Sequence, residues 1–393
     1  MPEMEPTPEE EAEFCQKIFS QEVKRDEDGR YQVPLFVRPN NQGLGNSYDI
    51  AVRNFLRLEK SLTKNDSKRM LVNEFMQEYL SMGHMSLVPE KADTTGETYY
   101  VPYHPIFKPD KLTTKCRNVF NFSAKTSNGV SLNNILFMGP NLLIQSVNGL
   151  TGMRTFSIAV TADIEKMYRQ INLLTNYKKY QRIVWRTSES EVLSEYELNT
   201  VTYGVNCAPA LALLVLEDIS QKAPKDVQNA LKGKFYMDDW LHGANTPEEP
   251  AQVCRKVFDE LQKAGMTLRK FASNNNEALS MIPKQHHVEA VMGENQTERK
   301  IKILGYIWNT EEDTLAVPIP KWDPKTPLTK RKLLSYVASF YDPLGLLLLV
   351  AVLLRLFMQK TWSLKIEWDE KVPKLLADQF AEIYLSIGFY CLD

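Results

Sequence analysis

The chain has 393 residues, 43% of them hydrophobic and 24% charged, enough for two or three packed subdomains with the balance of an ordinary globular protein. Five scattered cysteines, with no CxxC and no cysteine–histidine spacing, argue against a disulfide framework and a zinc site, and they read as reduced thiols of an intracellular, cytoplasmic setting rather than a secreted one. The formal net charge of −2 is uneven, since residues 1–26 hold eight acids and three bases (−5) and leave +3 elsewhere, an acidic start that excludes a secretory signal or a mitochondrial presequence.

In chain order, residues 1–25 predict a charged amphipathic helix or a loose leader. Asp28-Gly29-Arg30-Tyr31 then makes a turn into the apolar stretch Val33–Val37, and the glycine- and asparagine-rich joint at 40–46 ends a leader or linker over 1–46. From Ser47 to Gly83 leucines and aromatics recur at three- and four-residue steps, the helical period. Residues 98–122 alternate like strands. Within 100–126, Lys108, Lys111, Lys115, Arg117 and Lys125 face only Asp110, a local +4 suited to a phosphate backbone or to a solvated loop.

Further on, Phe156–Ala162, Tyr180–Arg186 and Leu198–Tyr203 predict strands. Ala208–Lys222 predicts a helix with Pro209 in its tolerant first turn, and Lys234–Ala244 a hairpin turning at Asp238-Asp239. Pro247–Ala264 predicts an amphipathic helix stopped by Gly265. Two strands follow at Met266–Ala272 and Lys302–Trp308, then helices at Lys330–Phe340, Leu346–Trp362 and Lys374–Ile387. The run Leu344–Met358 is shorter than the roughly 20 apolar residues of a membrane span and is interrupted by Arg355, so a buried helix is expected and no membrane. This order is α+β with an antiparallel sheet at its centre.

Nucleotidyl transfer builds negative charge on an attacking oxygen, a phosphoryl group and a leaving pyrophosphate, and a pair of divalent ions clamps both ends of the displacement. Holding such ions needs carboxylates converging from different elements. Asp163 closes the strand FSIAVTAD, and Asp238 and Asp239 lie in the apolar run FYMDDW. Two adjacent acids in an apolar run are costly without a cation, although aspartate is also a common turn residue.

Tyr236-Met237-Asp238-Asp239 resembles the YxDD box of reverse transcriptases, and the rest of the chain follows that family's order. The resemblance implies that Asp163, Asp238 and Asp239 are catalytic and hold two Mg2+ or Mn2+ ions. It also implies that Tyr168 crowds the sugar 2′ position, and that the loop Tyr203-Gly204-Val205-Asn206 lies beneath nucleotide and template. Arg117 falls where a fingers arginine meets the triphosphate, with Lys108 beside it. Tyr236 and Met237 flank the substrate, Lys270 matches a lysine near the leaving pyrophosphate, and Leu304-Gly305-Tyr306 matches the primer grip. DGRYQVPL at 28–35, YYVPYHPIFKP at 99–109, FSAKTSNGVSLNN at 122–134, GMTLRKFASN at 265–274 and SYVASFYDPLGLL at 335–347 narrow the resemblance to BEL/Pao-type LTR retrotransposons.

That resemblance implies a right-hand polymerase fold. It sets fingers at 47–140, a palm at 141–308 from which 171–208 returns to the fingers, and a thumb with a truncated connection at 309–393. The implied partners are an RNA or DNA template with its primer and deoxynucleoside triphosphates. No RNase H carboxylate set and no integrase zinc pattern follows. The sequence departs from the family at Asn121, where an aspartate is usual, at Ser123, where retroviral relatives have a second arginine, and in the leucine run after Gly345; Tyr203 stands where retroviral enzymes have a glutamine, a position at which BEL/Pao members often carry an aromatic. These departures keep open an inactive retroelement remnant, or a host-recruited nucleic-acid-binding or structural protein. Asp93-Thr94-Thr95-Gly96 lacks the apolar strand of a retroelement protease, and His286-His287 predicts a surface loop.

Overall fold

The computed structural model describes residues 6–89, 97–108, 115–142, 149–288, 300–323, 326–342 and 344–390. Asp93–Gly96 and Lys111 lie outside them.

Helix α1 (Pro8–Glu22) begins with a capping box, in which the Thr7 hydroxyl accepts the Glu10 amide and the Glu10 carboxylate accepts the Thr7 amide. It buries Cys15 and Phe19 in the main core. Strand β1 (Lys24–Arg25) pairs with β2 (Tyr31–Val33), and Tyr31, Val33, Leu35 and Phe36 are fully buried in that same core. The Tyr31 hydroxyl donates to Asp218 at 2.6 Å. The expectation of a leader or linker over 1–46 is therefore corrected. The acidic residues hid a segment whose apolar positions, one side of α1 and the run 33–37, are part of the body of the protein.

The helical stretch after Ser47 is two helices, α2 (Tyr48–Leu62) and α3 (Asp66–Ser81), divided where Asn65 caps the second through the Lys68 amide. Strand β3 (Met85–Leu87) follows, and then the hairpin of β4 (Tyr103–Phe107) and β5 (Cys116–Phe120), in which Arg117 stands opposite Ile106. A short helix, α4 (Leu132–Ile135), leads toward the central sheet.

That sheet has the order β10-β11-β6-β12, antiparallel throughout. Its strands are β6 (Ile158–Ile164), β10 (Phe235–Tyr236), β11 (Asp239–Ala244) and β12 (Leu268–Ser273). Side chains alternate across a strand, and the two faces have different partners. Val160, Ala162 and Trp240 join Leu211 and Val215 of α6 (Ala208–Lys222, after a single-turn α5 at Thr175–Lys178) in the main core. The short α7 (Lys225–Leu231) and the amphipathic α8 (Glu248–Lys263) complete that layer. Trp240 is fully buried, with its indole donating to Ala230 O at 2.8 Å, and its truncation to alanine would cost about 3–5 kcal/mol. Ala159 and Leu241 point the other way, into a second cluster with Ile303, Tyr306 and Trp308.

β7 (Asn172–Leu173) extends the β1–β2 sheet. β8 (Arg182–Trp185) and β9 (Ser194–Leu198) pair with each other, and β9 also pairs with β3. The strand expected over Leu198–Tyr203 ends at Leu198 because the next backbone groups are taken elsewhere. The buried Gln181 side chain donates to Thr200 O, and the Val201 amide donates to Ile171 O. The strand expected at Lys302–Trp308 is likewise a hairpin. β13 (Lys300–Ile303) and β14 (Tyr306–Asn309) are joined by Leu304 and Gly305 at φ 46° and 92°, and β15 (Thr314–Ala316) completes that sheet. Two positive-φ residues are what a two-residue hairpin with right-handed twist requires.

Helices α9 (Lys330–Ser339), α10 (Leu348–Ser363) and α11 (Lys374–Tyr390) share a core of Leu333, Tyr336, Leu354, Phe357 and Phe380. The expectation that the apolar run would be a buried helix is corrected: α10 buries Leu354, Phe357 and Met358 but exposes Leu348, Leu349, Val352, Leu353 and Leu356. Among the described residues no helix is long and apolar enough to cross a membrane.

Candidate active site

Asp163 and Asp239 are paired residues on neighbouring antiparallel strands, and by alternation both lie on the face of Ala159 and Leu241. The hairpin turns at Met237-Asp238 rather than at Asp238-Asp239. Tyr236 pairs with Asp239, Met237 takes φ 55°, and the Asp238 carbonyl accepts the Ile164 amide at 2.8 Å. Asp239 thus belongs to the strand, where pairing with β6 sets it beside Asp163. Positive φ in a non-glycine residue is strained, and Lys166, Met237, Lys270 and Leu304 all adopt it in or next to this region.

Burial, followed by the charge of Asp163, pushes the Asp238 carboxyl above its ordinary range. Burial and then the charges of Asp238 and Asp163 push Asp239 up to about 7. Lys270 opposes both shifts. Its ammonium sits 2.6 Å from Asp163 Oδ2, while the buried Asp163 Oδ1 has no hydrogen-bond partner. Lys270 reaches inward because β12 shifts register between Arg269 and Ala272 and Lys270 takes φ 55°, whereas Arg269 pairs with Glu165 at 2.6 Å.

Among the described residues no three acidic, histidine or cysteine side chains are drawn closely enough together to hold a metal ion. The donor chemistry nonetheless fits a divalent cation. Three hard oxygen donors stand at one end of the sheet, two of them resist ionisation through burial first and neighbouring aspartate charge second, and one buried acceptor is unsatisfied.

A second group stands beside the aspartates. The Arg117 guanidinium lies 5.8 Å above the Tyr203 ring, which meets the Tyr168 ring edge-on at 4.5 Å. Burial first, then Asp238 among the neighbouring charges, raises the Tyr203 phenol, and Asp238 also acts on Tyr168. Gly204, at φ 96°, passes so close to β5 that a Cβ there would sit 2.8 Å from Phe120 O. The structure therefore gathers Arg117, Tyr168, Tyr203 and Gly204 near Asp238. Lys108, by contrast, is exposed at the end of β4, with only its amide tied down, to Lys115 O. Leu304, Gly305 and Tyr306 form the β13–β14 turn, and Tyr306 packs in the cluster behind Ala159 and Leu241. His286 and His287 are half-buried rather than a surface loop, with His286 edge-on to Phe258 at 5.0 Å.

Sequence reasoning missed Asn133. Its side chain donates to Gly204 O and Ser123 Oγ, both at 2.9 Å, and accepts the Asn206 amide at 3.0 Å, clamping the loop 203–207 to the segment before it. The signal was present as Asn133-Asn134 after Ser131, but an asparagine in a single-turn helix shows its partners only in three dimensions. Arg169 was missed as well. It lies over Tyr79 at 4.6 Å and Phe75 at 5.7 Å, fixing the turn of Tyr168 to α3.

Residues 111–307, half of the chain, match the family model of reverse transcriptase (RNA-dependent DNA polymerase). The chain belongs to the reverse transcriptase family. Residues 329–388 match the model of a Pao retrotransposon-like RNaseH-like domain, which makes it a reverse transcriptase of the Pao type. That second match corrects the expectation that nothing related to RNase H is present. The segment expected to be thumb and truncated connection carries it, here as α9 to α11 with no strand among its described residues. A search for a carboxylate set could not find a match carried by helices.

Two solved structures resemble the chain along nearly its whole length. A foamy viral protease-reverse transcriptase (dRH) in complex with double-stranded DNA aligns at a TM-score of 0.53 and 14% identity, over 94% of this chain and 52% of that one. A foamy viral protease-reverse transcriptase in complex with an RNA/DNA hybrid aligns at 0.54 and 12%, over 98% and 44%. At these identities the likeness is one of fold, the right-hand polymerase fold, and the chain spans about half the length of these proteins. No curated protein matches the chain.

Proposed function

We propose that the chain is an RNA-directed DNA polymerase that adds deoxynucleotides to a primer 3′ end on an RNA or DNA template. The observation that carries this reading is the pairing of Asp163 with Asp239 on adjacent strands, with Asp238 at the turn between β10 and β11. Residues 47–140 and 171–208 serve as fingers, the remainder of 141–308 as palm and 309–393 as thumb and connection, with 6–46 packed against both, through Tyr31 on Asp218 and through Phe36, Arg38, Gly45 and Asn46 on residues 126–137.

In this reading Asp163, Asp238 and Asp239 would hold two Mg2+ or Mn2+ ions, which would supply charge stabilisation for the attacking and leaving oxygens. Lys270, 2.6 Å from Asp163 Oδ2, places its ammonium where it would meet the leaving pyrophosphate. Arg117, exposed above Tyr203, presents a planar fork of donors to the triphosphate. Tyr168, held edge-on by Tyr203, closes the space that a ribose 2′ hydroxyl would need. Tyr236 and Met237 flank the incoming nucleotide, and Leu304-Gly305-Tyr306 supports the primer strand.

Primer extension on a homopolymer RNA template, with magnesium or manganese, tests this reading beside the Asp238→Asn/Asp239→Asn variant. Extension by the parent alone is expected. A second reading, an inactive nucleic-acid-binding relative, is favoured by the Asp163–Lys270 pair. If neither protein extends while both shift labelled primer–template, that second reading replaces the first.

A further inference from the structure

Residues 340–347 join α9 to α10, and three separate contacts tie them to the hairpins of the site. The Tyr341 ring covers the turn between β13 and β14 so closely that a Cβ on Gly305 would run into it. The Tyr306 hydroxyl donates to Asp342 Oδ1 at 2.9 Å and accepts the Leu344 amide at 2.8 Å. Phe340, Leu344 and Leu347 pack against the cluster that holds Ala159 and Leu241, the residues behind the aspartate pair.

Asp342 has a second task. Its carboxylate accepts the amides of Leu346 and Leu347 at 3.0 and 2.6 Å, just ahead of α10, and so ties the helical segment to Tyr306. Tyr341 is 50% exposed. A ring placed for core packing would be buried, whereas this one covers the β13–β14 turn and leaves its other half open.

We propose that Tyr341 is a positioning residue for the primer 3′ end. Its ring clamps the Leu304-Gly305 turn, and Asp342, bound to Tyr306, anchors this clasp to the C-terminal helices. The inference rests on the polymerase reading above. A two-residue turn at the end of a narrow ribbon sways unless something clamps it, and the hydroxyl of a primer end must lie about 3–3.5 Å from the atom it attacks. Gly305 is thus required on two grounds, its φ of 92° and the ring seated upon it.

The test compares the parent with Tyr341→Ala, Tyr341→Phe and Asp342→Ala. Steady-state extension gives KM for primer–template and for nucleotide, processivity is measured alongside, and thermal unfolding checks folding. A fluorescent base analogue at the primer terminus reports seating of the end without turnover. Tyr341→Ala is expected to raise the primer–template KM and lower processivity by about tenfold or more, with the nucleotide KM within about twofold of the parent. Asp342→Ala should shift the same quantities in the same direction. Tyr341→Phe, which keeps the ring on Gly305, should stay close to the parent.

A Tyr341→Ala enzyme with unchanged primer–template KM and processivity overturns the proposal. So does one in which both KM values rise together with a loss of thermal stability. If the parent extends no primer, the polymerase reading fails and the terminal fluorophore decides alone. Seating in the parent that is lost in Tyr341→Ala then supports the clasp, and no seating in the parent overturns it.

Discussion

His84 offers a quantitative test of how the turn bearing Tyr168 is held. Its ring is 3% exposed, neither nitrogen has a partner, and it lies edge-on to Tyr79 at 5.7 Å. Burial, then the positive charges of Arg169, Lys166 and Arg30, depresses its pKa from 6.5 to about 4, with Glu78 opposing. The sign follows from linkage. The unfolded chain takes up a proton near pH 6.5 that the folded chain refuses until about pH 4, so stability is complete above 6.5 and is lost as pH falls toward 4. At pH 4.5 the loss amounts to about 2–3 kcal/mol. Asp238 and Asp239, whose carboxyls are pushed up, act in the opposite direction, so the informative quantity is the difference between the parent and His84→Leu. Urea unfolding at pH 7.5 and at about pH 4.5 measures it: the variant should gain roughly 2–3 kcal/mol on the parent between the two conditions. Parallel losses in the two proteins would refute the argument, because they would show that the folded His84 takes up its proton as readily as the unfolded one.

Tyr168→Ala should admit ribonucleotides, lowering the preference for deoxynucleotides by about tenfold or more, and a variant as selective as the parent ends the sugar-gate assignment. Asn133→Ala removes three hydrogen bonds from the loop beside Gly204; it should destabilise the protein by about 1–3 kcal/mol and raise the nucleotide KM, which unfolding and steady-state kinetics would read separately. Lys270→Ala should lower the extension rate, and an unchanged rate would refute a role for this lysine at the leaving pyrophosphate.

What the sequence made legible was set by local rules. The central strand, the helix beginning at Pro209 and the aspartates flanked by apolar residues follow from period, capping and the cost of burying charge. What it obscured depends on where backbone groups find partners. The strand expected after Leu198 was claimed by Gln181 and Ile171. The single strand expected at 302–308 became a hairpin because Leu304 accepts a positive φ next to Gly305. The acidic amino terminus was misleading for a related reason: net charge records the outer face of α1, whereas Cys15, Phe19, Tyr31 and Val33 decide where the segment packs.

The site divides along the same line. Asp163, Asp238 and Asp239 draw attention in the sequence by their apolar setting, where a carboxylate is costly unless a cation pairs with it or it stays protonated, and the roles proposed for them come from the resemblance of 236–239 to the YxDD box. Asn133, Arg169 and Tyr341 do not stand out, because an asparagine, an arginine or a tyrosine is satisfied by water in any unfolded arrangement and acquires a role only when two distant segments meet on it. Each of the three sits where such segments join: Asn133 between 123 and 206, Arg169 between α3 and the turn of Tyr168, Tyr341 between the β13–β14 turn and the C-terminal helices. The groups proposed for the chemistry are therefore marked by local sequence, and those proposed to hold them in place are marked by topology.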